Sequence, residues 1–254
     1  MPRAQRHSIV SSESYAVAGT SKSSMHVAEI WRYPVKSLKG ERLNQTEITQ
    51  VGIPNDRQVA IIRGINGRFL TSRTRPKLLG LQGNLGPDGA ATINGHPWDS
   101  PEATRLVQEA ALEPITLAQV APPHAFDVLP LLVATDGAAR YLNIDHRRLR
   151  PNILLADVPE LEERRWPGRI LAIGGVRIHL EKLRDRCVMT TFDPDTQEQD
   201  PTVLQRIIGE LDGSTALDSS VLTAGTIRVG DQAEILDLYD LSASPTSSSS
   251  ARRL

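Results

Sequence analysis

The segment Arg184–Thr196, RDRCVMTTFDPDT, contains the only cysteine of the 254-residue chain. One cysteine cannot form an internal disulfide, and six scattered histidines do not supply the clustered ligands of a structural zinc site. The fold must therefore be held together by buried apolar surface. A hydrophobic fraction of 39% is enough for one large core or two smaller ones.

The segments on both sides of this stretch have the pattern of short β-strands. Runs rich in Val, Ile, Thr and aromatic residues, such as HVAEIWRYP and ITLAQV, are separated by Gly, Pro and Asn-Gly turns. Helical spacing occurs at 101–114, 136–143 and 202–213, and CVMTTF at 187–192 is interpreted as a strand. Regular βαβ alternation is missing from the pattern. We therefore predict an α+β fold that is predominantly β.

Charge and hydropathy exclude several classes of partner. With 29 Lys and Arg against 30 Asp and Glu, the chain has no overall basic field for nucleic acid or an anionic membrane, so an anion site must be local. No stretch approaches the ~20 apolar residues of a membrane helix, and the N-terminus lacks the apolar core of a secretory signal. We expect a cytoplasmic protein with disordered ends at 1–24 and 241–254, where the composition is polar and without period.

Cys187 admits three interpretations. It can be a small buried hydrophobe, a nucleophile, or a soft metal ligand. Arg184 and Arg186, which closely precede it, favour a thiolate, and this weakens the first interpretation. A nucleophile needs a histidine base, and none is near in sequence, although the fold could supply one. If Cys187 binds a metal, the metal needs further ligands, which a cofactor with its own sulfur atoms would provide.

Several motifs in order resemble one known family. Cys187 in RCVMTTFDPDT, RPNILL at 150–155 and YPVKSLKG at 33–40 together resemble the molybdenum-cofactor-binding branch of the MOSC superfamily. The segments NDRQVAII, FLTSRTRPKLLGL, FDVLPLLVAT and AGTIRVGDQAEIL follow the same family order, so that the resemblance extends from about Val27 to Leu238. Each motif alone is weak, but several in order form a strong signal.

The resemblance implies a fold and an activity. The fold would be a MOSC-type β-barrel domain at 123–240 preceded by an N-terminal MOSC β-barrel domain at 25–122, with molybdenum cofactor (molybdopterin) between them. The activity would be that of the amidoxime-reducing components and their bacterial counterparts, which reduce N-hydroxylated small molecules. It also implies external electron-transfer proteins, ferredoxin-like or cytochrome b5-like with a reductase, and pyridoxal phosphate binding as a property of the superfamily.

Site residues follow from the same resemblance. Cys187 would be the molybdenum ligand and the catalytic residue. A cofactor with a phosphate and a polar heterocycle needs cations and polar groups from several segments. The positions that match the family's cofactor contacts are Lys36, Ser37, Arg57, Thr135, Asp136, Arg150, Asn152 and Arg186. Arg73 is interpreted as a supporting residue, whereas four further cations, Lys39, Arg42, Arg63 and Arg75, are predicted to be surface charges.

Other polar residues receive structural interpretations. Asp193 and Asp195 could form an acid and base pair, but Asp-Pro-Asp-Thr is more typical of a turn whose side chains cap backbone donors. Glu163 and Trp166 occupy a family position that we assign to packing. Two histidines, His124 and His179, are predicted to be polar residues at an edge rather than ligands.

The chain also departs from the family pattern. Arg184 stands where family members often carry a second cysteine, and Asp218 where amidoxime reducers place a tyrosine. TDGAA replaces TTASL after the strand LLVA. No cysteine cluster of a ferredoxin domain is present, so electrons would come from another protein. These departures keep open an alternative function, a carrier that holds molybdenum cofactor, or sulfur as a persulfide on Cys187, without its own turnover.

Overall fold

The computed structural model of the protein describes residues 24–64, 67–121 and 126–238. His124, the predicted domain boundary at 122/123 and nearly all of the two predicted disordered ends lie outside these residues. None of the helices in the described parts is long and apolar enough to cross a membrane.

Sixteen strands are formed by the described residues. Those of the first half are β1 His26–Arg32, β2 Glu41–Leu43, β3 Gln45–Ile48, β4 Val59–Arg63, β5 Phe69–Leu70, β6 Gly83–Leu85, β7 Ala91–Ile93 and β8 His96–Pro97. Those of the second half are β9 Ile115–Gln119, β10 Leu131–Thr135, β11 Ile153–Ala156, β12 Arg169–Ile173, β13 Val176–Asp185, β14 Ser214–Thr223, β15 Gly225–Arg228 and β16 Ala233–Leu236.

Helices are few and short. The α-helices are α1 Pro101–Ala111, α2 Asp136–Leu142 and α3 Pro201–Leu211, and the 3-10 helical turns are Pro76–Gly80, His146–Leu149, Glu162–Arg165 and Val188–Thr191. The side chain of Ser100 accepts a hydrogen bond at the start of α1, and that of Asp200 does so at the start of α3, with proline in the first turn of each helix. The predominantly β class predicted from the sequence is confirmed.

The strands are arranged in one large and three small sheets. The large sheet has the order β16-β12-β13-β14-β10-β11-β1-β2, and the small ones are β5-β4-β9, β6-β7-β8 and β15-β3. All strand pairs in these sheets are antiparallel except β10 with β11, which is parallel. The first strand therefore joins the sheet built mostly by the second half of the chain.

Two main cores follow from this topology. One lies between α1 and two of the small sheets, β5-β4-β9 and β6-β7-β8, with Val35, Ile61 and Val107 fully buried. The other packs on the large sheet and contains Leu155 and Ile178 together with residues from β1 and β3. Since the early strands supply both pairing and apolar side chains to the large sheet, the two halves of the chain are folded into each other.

Two local predictions were wrong. CVMTTF was interpreted as a strand, but Val188–Thr191 forms a 3-10 turn in which the Thr190 hydroxyl donates to the Cys187 carbonyl at 3.0 Å. The threonine side chain competes with a partner strand for this backbone carbonyl. The helical spacing of Val203, Ile207, Ile208 and Leu211 predicts one shared apolar face for the helix at 202–213, yet Ile208 is 60% exposed whereas the other three are buried.

Candidate functional site

Cys187 lies two residues after the end of β13 in the large sheet. It directly precedes the 3-10 turn Val188–Thr191 and has a half-buried side chain. The backbone N–H of Arg186 donates to the Gly213 carbonyl at 2.8 Å, which fixes the position of the segment before the cysteine. The sulfur is therefore held at a strand end, where a side chain can face a cavity.

A cavity of about 100 Å³ opens at this cysteine. Six of its lining side chains are cationic and two are acidic. The cations are Lys36, Arg57, Arg73, Arg150, Arg184 and Arg186, and the acids are Asp127 and Asp185. Ser37 and Met189 line the same cavity. Cys187 and five of the eight predicted cofactor residues are thus brought together, from segments more than a hundred positions apart in sequence.

Tyr33 organises two of these cations. The Arg150 guanidinium lies 4.3 Å from the centroid of the Tyr33 ring and that of Arg57 lies 5.1 Å from it. The Tyr33 hydroxyl donates to the Pro151 carbonyl at 3.1 Å. Burial raises the pKa of Tyr33 to about 12, against the opposing effect of the two arginines. The ring is a neutral support on which cation–π contacts hold both guanidinium groups.

Asp56 connects the three motifs that carry these residues. Its buried carboxylate accepts from the backbone N–H of Tyr33 at 2.7 Å, from Asn152 Nδ2 at 3.1 Å and from the Arg57 side chain. A buried carboxylate with several donors fixes the geometry of each of them. YPVKS, NDR and RPN are therefore positioned by one shared acceptor.

The backbone at the site has an unusual conformation. Ser37, Arg57 and Arg150 have φ angles of 74°, 54° and 55°, in the left-handed region. Residues with a side chain rarely adopt this region because Cβ approaches the backbone carbonyl, at a cost of about 1 kcal/mol each. Strain of this kind is typical of ligand sites, where it directs particular side chains into the cavity.

Asp127 orients two further cations. Its Oδ1 lies 2.7 Å from Lys36 Nζ and its Oδ2 lies 2.9 Å from Arg73 Nη2. Burial alone would raise the pKa of Asp127, but the hydrogen bond and charge of Lys36, with Arg73 and Arg57, lower it below its ordinary value. Burial lowers the pKa of Arg73, yet Asp127 and the sulfur of Cys187 outweigh that effect and raise it. Arg73 and Cys187 line the same cavity, and Asp127 holds the Arg73 guanidinium there.

Arg186 is buried beside Cys187. Its Nη2 donates to the Leu149 carbonyl at 2.9 Å, while its Nε is buried with no hydrogen-bond partner among the described residues. Burial, and next the charge of Arg184, lower the pKa of Arg186 to about 10. An anion near Arg186 would satisfy the Nε donor and offset the cost of burying the charge.

Three predicted cofactor residues lie outside the cavity. Thr135 caps α2, accepting from Ala138 N at 3.1 Å, and Asp136 pairs with Arg140 in the same helix. Asn152 does not line this cavity either; its Nδ2 donates to Asp56 and its side-chain Oδ1 accepts from Leu132 N at 3.1 Å. The assignment of Thr135 and Asp136 to a cofactor stays a prediction.

The residues given structural interpretations behave as polar supports. Asp193 Oδ1 accepts from the backbone N–H groups of Asp195 and Thr196, as expected of a capped turn, and this lowers the pKa of Asp193. Glu163 and Trp166 are buried at 0% and 3% exposure. His179 pairs with Glu181 at 3.0 Å, away from the cysteine.

Several residues of the site were missed or undervalued in the sequence. Tyr33, Asp56 and Asp127 were not singled out, and Arg73 was given only a supporting role. Each lies inside a quoted motif, YPVKS, NDR, FDV or TSRTRP, so a signal existed. An aspartate or a tyrosine near a cation in a motif does not by itself show which side chain it contacts in the fold.

A second, larger cavity adjoins the first. It has a volume of about 510 Å³ and shares Arg150 and Met189 with the smaller one, while its other walls include Trp31, Arg148 and Phe192. Cys187 does not line this larger cavity, so the smaller cavity is the candidate site. Among the described residues, no group of three or more His, Cys, Asp or Glu side chains could hold a metal ion.

Comparison with known families and proteins gives two matched regions. Residues 24–120 match the family model of the MOSC N-terminal beta barrel domain, and residues 132–234 match that of the MOSC domain. The mitochondrial amidoxime reducing component 2 of Homo sapiens is 27% identical over 280 residues, covering 81% of this chain and 82% of the human protein. The mitochondrial amidoxime-reducing component 1 of Homo sapiens is 24% identical over 283 residues, covering 83% and 82%.

Solved structures are more distant. The YUAD protein from Bacillus subtilis has a TM-score of 0.45 and 12% identity, with 83% of this chain and 94% of that chain covered. YiiM from Escherichia coli has a TM-score of 0.37 and 12% identity, with 81% and 70% covered. The family assignment therefore rests on the two matched domain regions.

Proposed function

Because this chain belongs to the MOSC family and carries an N-terminal MOSC β-barrel domain, we propose that it is a molybdenum-cofactor-dependent oxidoreductase that reduces N-hydroxylated substrates. The proposed substrates are amidoximes, hydroxylamines and N-hydroxylated bases. The relatives named amidoxime reducing components support this choice at low identity.

One observation carries the proposal. The only cysteine of the chain lies in a cavity with six cationic side chains, of which Arg186 has a buried Nε without a partner among the described residues. A cavity for a neutral apolar ligand would not bury so many guanidinium groups, because each loses hydration without compensation. The site therefore favours an anionic ligand that also carries an atom able to bond to the Cys187 sulfur.

The residues present fit molybdopterin. Lys36, Arg57, Arg150 and Arg186 would hold its phosphate and polar edges, and Cys187 would be the protein ligand of the metal. Charge-assisted hydrogen bonds of this kind are among the strongest in proteins. When bound, the cofactor supplies two-electron redox chemistry that no side chain of the chain provides.

The overall reaction defines what the protein must bring together. An N-hydroxylated substrate takes up two electrons and two protons, the N–O bond breaks, and the products are the N–H compound and water. Arg73, beside the Cys187 sulfur, is placed to hold the substrate oxygen in the cavity, and Asp127 keeps Arg73 in that position. Electrons would come from a separate donor protein, ferredoxin-like or cytochrome b5-like with its reductase.

The test is metal analysis followed by an assay. The protein is purified from a host that makes molybdenum cofactor, molybdenum and pterin are measured per chain, and benzamidoxime reduction is followed with reduced methyl viologen. We expect near-stoichiometric metal and turnover, both lost in Cys187→Ser, which keeps the size of the side chain. Metal below about one tenth per chain, or full activity of the variant, would contradict the proposal.

The same samples separate the reductase from the carrier. A persulfide mass increment on Cys187, with no reduction of any N-hydroxylated compound by the metal-loaded protein, would indicate a sulfur or cofactor carrier. Ser24→Ala, a substitution of an exposed residue remote from the cavity, controls for handling of the variants. It should keep the metal content and the rate of the parent protein.

A further inference from the structure

Arg184 occupies a special place around Cys187. Two further cavities, of about 260 and 30 Å³, share lining residues with the cavity at the cysteine. Arg184 and Asp127 are the two side chains that line all three. A ligand that enters this region from any of the three spaces therefore meets Arg184.

Asp218 forms an ion pair with this arginine. The distance from Arg184 Nε to Asp218 Oδ1 is 2.7 Å, and Asp218 is 1% exposed on β14. The arginine side chain is 18% exposed, so its outer end is not enclosed with the carboxylate. The contact is an ion pair at Nε rather than an aligned hydrogen bond, because Nε and both Asp218 carboxylate oxygens have no hydrogen-bond partner among the described residues.

The terminal amino groups of Arg184 have no acceptor among the described residues. Four other cations of the site do have one: Lys36 and Arg73 share Asp127, Arg57 contacts Asp56, and Arg186 donates to a backbone carbonyl. Arg150 lies over the Tyr33 ring instead. Arg184 makes an ion pair with Asp218, and its two Nη groups are available as a pair of donors.

A planar pair of donors matches one chemical group best. A carboxylate accepts two parallel N–H bonds from a guanidinium, whereas a neutral aryl or alkyl group gains nothing from it. The cavity of about 260 Å³ on this side is lined by three cations, three acids and Val128, which is 46% exposed. Asp127 and Asp218 are paired with Arg73 and Arg184, so Lys182 is the further cation placed to contact the charge of such a ligand, and Val128 its apolar body.

We propose that Arg184 is the specificity-determining residue for substrates that carry a carboxylate, and that Asp218 is its positioning residue. The inference rests on the proposed function, since it concerns which N-hydroxylated compounds reach Cys187. It predicts a preference for anionic over neutral members of this substrate class.

The experiment compares two matched substrates with the molybdenum-loaded protein. Benzamidoxime and 4-carboxybenzamidoxime differ by one carboxylate, and kcat/KM is measured for both. We expect the parent protein to favour the carboxylate by about tenfold, mainly through a lower KM. Arg184→Lys keeps the ion pair but lacks the fork, and should reduce the ratio about fivefold; Arg184→Gln should bring it close to one.

Two variants complete the series. Asp218→Asn leaves the arginine without its anchor and should raise KM for the carboxylate substrate alone, while kcat stays near that of the parent. Arg177→Gln, on the same strand but bonded to backbone carbonyls at a remote turn, should leave the ratio unchanged. An equal kcat/KM for both substrates in the parent protein would overturn the inference while the proposed function stands.

Binding without turnover gives an independent readout. In cofactor-free protein, calorimetric titration with 4-amidinobenzoate should give tighter binding than benzamidine, and Arg184→Lys should remove the difference. If neither amidoxime is reduced by metal-loaded protein, the proposed function fails, and this titration still decides on the carboxylate site. Loss of molybdenum from Arg184→Lys would assign Arg184 to the cofactor and overturn the inference.

Discussion

Arg184 on β13 and Asp218 on β14 form an ion pair with 2.7 Å between Nε and Oδ1, and the carboxylate is almost fully buried. These are the two positions at which the sequence departs from the pattern of cysteine and tyrosine expected from the family resemblance. Their contact means that the two departures are one change, because a charge buried at either position needs the other.

The pair should behave as a unit in unfolding experiments. Arg184→Met alone should lower the free energy of unfolding by about 3 kcal/mol at neutral pH, since it leaves a buried carboxylate without a partner. The double variant Arg184→Met with Asp218→Leu should recover most of that loss. Urea denaturation measures both. Removal of the exposed pair Arg105–Glu109 by Glu109→Gln should cost at most about 0.5 kcal/mol, and a similar small cost for Arg184→Met would refute the pairing argument.

Lys36 should be needed for cofactor retention. Its Nζ is held by Asp127 at the cavity, so Lys36→Met removes a positioned charge from the anion site. We expect molybdenum and pterin per purified chain to fall by at least about fivefold, measured by mass spectrometry and by fluorescence of the oxidised pterin. Lys77→Met, at an exposed position of the turn Pro76–Gly80, should retain both. Equal retention in the two variants would remove Lys36 from the site.

Arg186 should lower stability in the absence of an anion. Burial lowers its pKa to about 10, and its Nε has no partner among the described residues, so the folded state carries the cost of a buried charge. Arg186→Met should therefore raise the free energy of unfolding of cofactor-free protein by about 1 kcal/mol. The same substitution should abolish the stabilisation that cofactor gives to the parent protein. A destabilised apo variant would show that the Leu149 contact outweighs the cost of burial.

Acid should weaken the contacts made by Asp127. Its pKa is lower in the folded protein than the ordinary value of about 3.9, so the charged carboxylate adds stability above that value, and this contribution is lost as the pH falls through the lowered pKa. The difference in unfolding free energy between parent and Asp127→Asn should thus be largest at neutral pH and vanish in acid. Denaturation from pH 7 to pH 2 tests it. If the difference in unfolding free energy instead grew as the pH falls, the pKa of Asp127 would be raised in the folded protein, and the ion pairs assigned to it would be refuted.

The early strand β1 should stabilise the late sheet. Ile30 is fully buried in the core of the large sheet and pairs with both Ile153 and Leu43. Ile30→Ala should lower the free energy of unfolding by about 3 kcal/mol, and hydrogen exchange should show the loss in β11. Val51→Ala, at a 54% exposed position, should change stability by less than about 0.5 kcal/mol. Unchanged exchange in β11 would mean that β1 does not support it.

The residue types of the site were predictable because they are local properties of the sequence. A lone cysteine closely preceded by two arginines indicated a thiolate, and the family resemblance of the surrounding motifs named Lys36, Ser37, Arg57, Arg150 and Arg186, all of which line the cavity. The predominantly β class was also predictable, since alternation and turn residues act over a few positions.

Tertiary structure alone decided which of these side chains act together. The hydrogen bonds of Asp56 with Tyr33 and Asn152, the pairing of Arg73 with Asp127 and that of Arg184 with Asp218 all join distant segments. Arg57 and Arg150 have left-handed φ angles, and because neither residue is a glycine, nothing in the sequence indicated this conformation. Such contacts depend on strand register and backbone direction, which are set by packing of the whole chain, and a one-residue shift in a strand would turn each side chain to the other face.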